Sequence, residues 1–177
     1  VRQIIGEYVR DPHHKNVEII LVTDRIETLP FSLPNVAFVR GSPLEEETYL
    51  RAHVQDASQA IVLSTGYDDP NSDSVAASIV SIIEHLNPTL ASVAECLNAK
   101  HSLLFKGSKN VSLVYTFRIS NNLIVQEAQD PGVTAVTHAI TSNEIEGTLV
   151  STEVTGLDGS ATACTERWHP AVRRFCC

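Results

Sequence analysis

The strongest chemical signal in the sequence is a carboxylate at the end of an apolar strand. The stretch from Asn16 to Asp24 contains four consecutive apolar residues, Ile19 to Val22, which is typical of a strand buried on both faces of a parallel sheet. In a doubly wound nucleotide-binding fold, an acid at this place accepts hydrogen bonds from ribose hydroxyls. Asp24 is therefore a candidate ligand for NAD or an adenine nucleotide, and a solvated turn residue is the alternative.

The Gly-x-Gly-x-x-Gly turn that would complete this fingerprint about 20 residues earlier does not precede Asp24. The chain begins at Val1 within a predicted helix, so we expect the phosphate-binding turn to be missing through truncation. Other candidate binding residues follow predicted strands, where ligands of such sheets bind. They are Arg25, Gly41, Ser42, Ser64 and Thr65. An exposed arginine is the alternative for Arg25, and a helix-capping role is the alternative for Ser42.

Nothing in the sequence indicates a catalytic acid–base couple or an activated nucleophile. It contains no Gly-x-Ser-x-Gly elbow, no recognisable Ser–His–Asp order and no Cys–His pairing. Cys96 is isolated, and the other three cysteines crowd into Cys164–Cys177, with neither metal-ligand spacing nor a disulfide framework. We therefore expect a protein of a reducing compartment that is not an enzyme.

The elements that position these residues alternate between strands and helices. Predicted strands cover 17–23, 36–40, 59–64, 90–94 and 111–115, and predicted helices cover 1–10, 43–53, 71–86, 98–106 and 118–129. Ser42 is the predicted N-cap of the second helix, because Pro43 follows it and Glu45 comes three residues later. The alternation predicts an α/β fold with a Rossmann-like, doubly wound parallel sheet and an irregular C-terminal segment.

Length and composition agree with one globular domain and a tail, or with one and a half domains. The chain has 177 residues, of which 43% are hydrophobic and 19% charged, and a net charge of −8. A nucleic-acid-binding protein normally has a basic face, so we expect no nucleic-acid partner. No apolar stretch approaches the roughly 20 residues that span a bilayer.

The run from Val36 to Ser64 resembles the regulator-of-potassium-conductance (RCK) domain, also called the TrkA N-terminal or KTN domain. The residues that fill that family's pattern are Gly41, Leu50, Ala52, Ala57 and Ala60–Leu63. Val93-Ala94-Glu95 resembles the family's Ile-Ala-Glu element, and 111–125 resembles its sixth strand and the helix that packs across the dimer. The family often has Asp at the position of Ser42, and its first strand and glycine loop precede residue 1.

The resemblance implies a regulatory role in potassium transport. It implies a cytoplasmic domain at the inner face of the membrane, which gates a prokaryotic potassium channel or K⁺ transporter beneath a membrane pore subunit. It also implies a homodimer or an octameric ring. Some family members bind Ca²⁺ or another divalent cation at positions matched by Asp73 and Glu95. A further family carboxylate is Leu97 here, and Asp73 is also a natural first-turn residue of its helix.

The domain organisation expected from this resemblance has three parts. Residues 1–135 form the RCK/TrkA-N-like domain, 136–150 one further helix, and 151–177 a linker or tail that is disordered or not native to the protein. Two other functions stay open from the sequence. One is a fragment of an NAD(P)-dependent oxidoreductase, and the other is a dimerisation module without a ligand.

Overall fold

The computed structural model describes residues 1–11, 17–33 and 35–143. The chain divides into two compact units, of which one is Asn16–Asp130 and the other combines Val1–Lys15 with Pro131–Cys177. The predicted tail at 151–177 and residues 144–150 of the predicted last helix lie outside the described residues. The two units are described separately below.

The smaller unit joins the first and last described helices. These are α1, Arg2–Arg10, and α5, Val133–Thr141. The backbone N–H of Asn143 donates to the Glu7 carboxylate at 3.0 Å, and the Asn143 side-chain amide donates to the Glu7 carbonyl at 2.8 Å. Ile5 is buried. These two hydrogen bonds hold Asn143, the second residue after α5, to Glu7 of α1.

The larger unit contains five parallel strands in two ladders. They are β1 (Ile19–Thr23), β2 (Val36–Arg40), β3 (Gln59–Val62), β4 (Ala91–Cys96) and β5 (Val111–Tyr115). One ladder pairs β1 with β2, and the other has the order β3-β4-β5. All three pairings are parallel, as the strand–helix alternation predicts.

The helices of this unit lie between the strands or after the last one. They are α2 (Glu46–Arg51), α3 (Ser72–Leu86), α4 (Thr116–Gln129) and 3-10 helices at Val54–Asp56 and Ala99–Phe105. The predicted capping of α2 is wrong, because Glu45 rather than Ser42 is its N-cap. The Ser42 hydroxyl instead accepts the Leu44 N–H at 3.3 Å within a turn that precedes the helix. The Tyr49 hydroxyl donates to the Pro43 carbonyl at 2.8 Å and fixes that turn against α2.

The core lies between α3 and one face of the β3-β4-β5 ladder. The core contains two alternate residues of β4, Ala94 and Cys96, and two residues one turn apart in α3, Ala76 and Val80, all of them buried. These spacings match the period of 2 in a strand and of 3.6 in a helix. The opposite face is open, and its central apolar residue, Val93, is 39% exposed. Strand β1, predicted to be buried on both faces, is half-buried along its whole length, since in the described structure it has a strand partner on one edge only.

Candidate functional site

The predicted binding residues follow strands β1, β2 and β3 at their carboxyl ends. Parallel strands of one ladder end on the same side, so Asp24 and Arg25 come close to the Gly41–Ser42 turn. The Gly41 N–H donates to the Thr23 carbonyl at 3.3 Å. The Arg25 guanidinium donates to the Thr65 carbonyl. This contact brings the ends of β1 and β3 together.

Asp24 is exposed and has no hydrogen-bond partner within the part of the chain that the structure describes. The preceding residue, Thr23, uses its hydroxyl to accept the Arg25 N–H at 3.2 Å. Within the described residues, no donor therefore occupies the lone pairs of this exposed carboxylate. This is the state in which a carboxylate can accept hydroxyl donors from a ligand at little cost in broken protein contacts.

Close packing against α2 explains the glycine at position 41, without any contact to a ligand. An added Cβ at this position would lie 2.4 Å from the hydroxyl oxygen of Thr48 and 2.6 Å from a guanidinium nitrogen of Arg51. Thr48 is buried in α2, at 1% exposure. The backbone dihedral φ of Gly41 is not in the left-handed region. The glycine therefore lets α2 approach the end of β2 closely.

The loop after β3 uses its own backbone donors internally. The Ser64 N–H donates to Glu95 Oε2 at 3.0 Å, and the Thr65 N–H donates to the Ser72 hydroxyl at 2.9 Å. The Thr65 hydroxyl donates to Asp69 Oδ2 at 2.9 Å. A phosphate bound at this loop would have to displace these partners, because two of the N–H groups it needs are already occupied.

Glu95, a predicted metal ligand, is the centre of a polar cluster whose other members the sequence did not predict. Its Oε1 accepts hydrogen bonds from the hydroxyls of Thr116, at 2.7 Å, and Tyr67, at 3.3 Å. The Tyr67 ring also contacts Phe117, with ring centroids 5.8 Å apart. Burial raises the pKa of Glu95, but the hydrogen bonds from Thr116 and Ser64 outweigh burial, so the pKa lies below its ordinary value.

Asp73 is the centre of a second cluster, at the start of α3. Its Oδ1 accepts the Leu97 N–H at 2.7 Å, and its Oδ2 accepts the Asn98 N–H at 3.0 Å. His101 Nδ1 lies 2.7 Å from the same Oδ2. Burial raises the pKa of the 3% exposed Asp73, whereas these hydrogen bonds and the His101 ring lower it below its ordinary value. Asp73 thus joins α3 to the connection after β4.

An open cleft of about 520 Å³ lies beside these two clusters. Its lining includes Tyr67, Asp68, Asp69, Leu97, His101 and Phe117. None of the residues predicted to bind a nucleotide lines the cleft. In the described residues, no three His, Cys, Asp or Glu side chains come together in a way that could hold a metal ion, and no helix is both long and apolar enough to cross a membrane.

The fold is similar to that of solved structures. It matches the human SLO3 gating ring with a TM-score of 0.61 and 16% sequence identity, over 88% of this chain and 29% of that one. It matches the TrkA-N domain of the inner membrane protein ybaL from Escherichia coli with a TM-score of 0.53 and 18% identity, over 71% of this chain and 87% of that one. At these identities the likeness establishes the fold, and it confirms the predicted Rossmann-like architecture.

The sequence itself matches a family model. A search of curated proteins finds no match. The model of the calcium-activated potassium channel slowpoke-like RCK domain matches residues 1–94 of the 177. The chain spans less than a third of the gating-ring chain to which it is similar. Because the family model matches more than half of the sequence, the chain belongs to the slowpoke-like RCK domain family.

Proposed function

We propose that this RCK domain is the cytoplasmic regulatory region of a potassium channel or K⁺ uptake system, and that it acts by changing conformation rather than by catalysis. The proposed domain spans residues 1–135 and forms a homodimer that builds a ring beneath a membrane pore subunit. Its family membership supports this role, and the similar SLO3 chain belongs to a gating ring. An octamer is the ring size that the sequence resemblance favours.

The observation that carries the proposal is the exposure of helix α4. None of its 14 residues is buried, although it carries a cluster of large apolar side chains. The exposed ones are Phe117, Ile119, Ile124 and Val125, with exposures from 43% to 67%. A helix with apolar residues exposed at this density normally packs against a partner. We assign that partner as α4 of a second copy, in agreement with the dimer expected from the sequence.

The assembly is tested by molar mass in solution and by one pair of substitutions. Ile124→Glu places a charge at the most exposed apolar position of α4, and Leu103→Glu places one at a comparably exposed apolar position in the 3-10 helix. We expect light scattering to show a dimer or larger species for the wild type and Leu103→Glu, and a monomer for Ile124→Glu. A wild type that is monomeric at all concentrations would refute the proposed assembly.

The proposed ligand is NAD or an adenine nucleotide, with Asp24 as acceptor of the ribose hydroxyls. Support comes from its free, exposed carboxylate at the end of β1 and from the convergence of Arg25, Gly41, Ser42 and the Ser64–Thr65 loop around the same strand ends. A ligand that binds one arrangement of the ring better than another shifts the gate by its differential affinity. No catalytic residue is required for this mode of action.

A second candidate is an assembly module without a nucleotide. The observation in its favour is that the N–H groups of Ser64 and Thr65 are already bonded within the protein. A thermal-shift series with NAD, NADH, ATP, ADP and AMP separates the two functions. It is run on this chain and on an N-terminally extended version that includes the family's first strand and glycine loop.

For a nucleotide sensor, saturation at about 100 times Kd stabilises the protein by about 2.7 kcal/mol. We expect this stabilisation in the extended version, and expect Asp24→Ala to abolish it while Asp68→Ala, another exposed carboxylate, leaves it intact. No response of either version to any nucleotide would favour the assembly module. Oxidation of NADH by a carbonyl substrate would instead indicate an oxidoreductase.

A further inference from the structure

The family name includes calcium activation, and the sequence resemblance predicts a divalent-cation site at two carboxylates of this chain, Asp73 and Glu95. Ca²⁺ takes about six to eight oxygen ligands, and its carboxylate ligands must offer free lone pairs. Whether these two side chains suit a cation is decided by what already surrounds their oxygens. The relevant atoms are all within the described residues.

The Asp73 carboxylate is surrounded by nitrogen donors. Leu97 N–H binds Oδ1, while Asn98 N–H and His101 Nδ1 bind Oδ2, at distances from 2.7 to 3.0 Å. An ionised carboxylate has about four lone-pair sites, so three are used. The backbone N–H groups cannot reverse to present oxygen, and their positive ends would repel a cation held by the same oxygens.

The Glu95 carboxylate also accepts three hydrogen bonds, but two of them come from hydroxyl groups. The Ser64 N–H binds Oε2, and the hydroxyls of Tyr67 and Thr116 bind Oε1. Three of about four lone-pair sites are again occupied. Unlike N–H groups, the two hydroxyls can reverse and act as acceptors. Each carboxylate therefore keeps about one free lone-pair site, so the two side chains together offer about two of the six to eight oxygen ligands that Ca²⁺ takes. Among the described residues, no cluster of three His, Cys, Asp or Glu side chains supplies the rest.

We infer that Asp73 and Glu95 are structural latches and that this RCK domain does not bind calcium through them. Asp73 holds the start of α3 to the connection after β4. Glu95 holds the connection after β3 and the start of α4 to β4. This inference concerns what the domain senses, and it stands whether or not a nucleotide binds near Asp24.

Metal-free melting temperatures distinguish latches from ligands. If the two carboxylates were metal ligands, their negative charges would be unneutralised without the metal and would repel nearby negative charge. Removing one of these charges by substitution would then leave the melting temperature unchanged or raise it. For latches, we expect Asp73→Asn to lower it by about 3–12 °C, because the new amide NH₂ faces N–H donors. Glu95→Gln should lower it by about 3 °C or less, since its NH₂ can donate to the Tyr67 and Thr116 hydroxyls. The control is Asp68→Asn, an exposed carboxylate on the same cleft, and we expect it to have no effect.

Calcium titration completes the test on the full chain. We expect millimolar Ca²⁺ to leave the wild-type melting temperature unchanged, or to produce a response that persists in Asp73→Asn and Glu95→Gln. A calcium response that both substitutions abolish would overturn the inference. So would a metal-free melting temperature of Asp73→Asn at or above the wild-type value.

Hydrogen exchange on the wild type gives the same answer even if Asp73→Asn fails to fold. Three backbone N–H groups donate hydrogen bonds to the two carboxylates, those of Leu97, Asn98 and Ser64. We expect their exchange rates to be unchanged by Ca²⁺. Faster exchange at these amides on adding Ca²⁺ would mean that the cation has taken the carboxylates, and would overturn the inference.

Discussion

Replacing Gly41 with alanine is expected to lower the free energy of unfolding by about 1–3 kcal/mol. The added Cβ would lie 2.4 Å from the Thr48 hydroxyl oxygen and 2.7 Å from its methyl carbon. Thr48 is only 1% exposed, so it cannot rotate into solvent. The Arg51 guanidinium, at 2.6 Å, is the end of a flexible exposed side chain and can move away. The cost therefore comes from displacing α2 away from β2.

The matched control is Gly66→Ala, in the loop that follows strand β3. Its added Cβ would meet only Asp69 Cβ, at 3.7 Å, which is ordinary contact. Thermal denaturation should show a fall of about 2–12 °C for Gly41→Ala, from about 2–4 °C per kcal/mol for a chain of this size, and little change for Gly66→Ala. Equal melting temperatures for the two variants would refute the packing argument. A Gly41→Ala protein of normal stability that had lost nucleotide binding would show instead that the glycine cradles a ligand.

Three further predictions concern buried polar groups. Asn87→Ala should lower the free energy of unfolding, measured by urea denaturation, by about 2–4 kcal/mol. The reason is that its buried amide donates to the Val54 and Ala57 carbonyls at 3.0 and 3.1 Å. Replacing an exposed asparagine with alanine should change the free energy of unfolding little. The pKa values of Asp73 and Glu95 are lowered in the folded state. The stability that these carboxylates contribute should therefore be complete above their ordinary pKa values of 3.8 and 4.5 and be lost progressively as the pH falls below them. In chemical denaturation between pH 3 and pH 7, the free energy of unfolding of Asp73→Asn should depend less steeply on pH than that of the wild type. Burial raises the pKa of Tyr49 from 10.0 to about 12, so its contribution to stability is complete below the ordinary value and is lost as the pH rises through the raised one. Ultraviolet titration should show Tyr49 as the last tyrosine to ionise, and Tyr49→Phe should remove that late step.

The arrangement of elements follows from the sequence wherever one local pattern controls it. The period-3.6 apolar positions of 71–86 predict α3, whose residues Ile79 and Ile83 are buried as expected. The predicted start of α2 was wrong because a local capping pattern and a tertiary contact disagree there. Ser42-Pro43 satisfies the capping pattern, but the packing of Thr48 against Gly41 delays the helix until Glu46. That close approach is a tertiary contact, and no local pattern reports it.

The candidate site shows the same limit for side chains. The place of Asp24, at the end of an apolar strand, was predictable because strand topology controls it. The partners of Asp73 were not, because they are N–H groups 24 and 25 residues later in the chain. A first-turn aspartate in α3 predicts only a favourable interaction with its own helix. Only the fold brings the Leu97–Asn98 backbone to that carboxylate.

Glu95 connects the two surfaces on which the proposed function depends. One carboxylate oxygen holds the Ser64 N–H of the loop next to the candidate nucleotide site, and the other holds the hydroxyl of Thr116, the first residue of α4. The carboxylate is planar and fixed to β4. If the loop moves and keeps its hydrogen bond from the Ser64 N–H to Glu95, the carboxylate must turn and pull on Thr116. If the movement breaks that hydrogen bond, the half-buried Glu95 charge loses one of its partners. In either case the energetic cost of moving the loop depends on the position of α4, and such dependence is what links a binding event to a change in assembly.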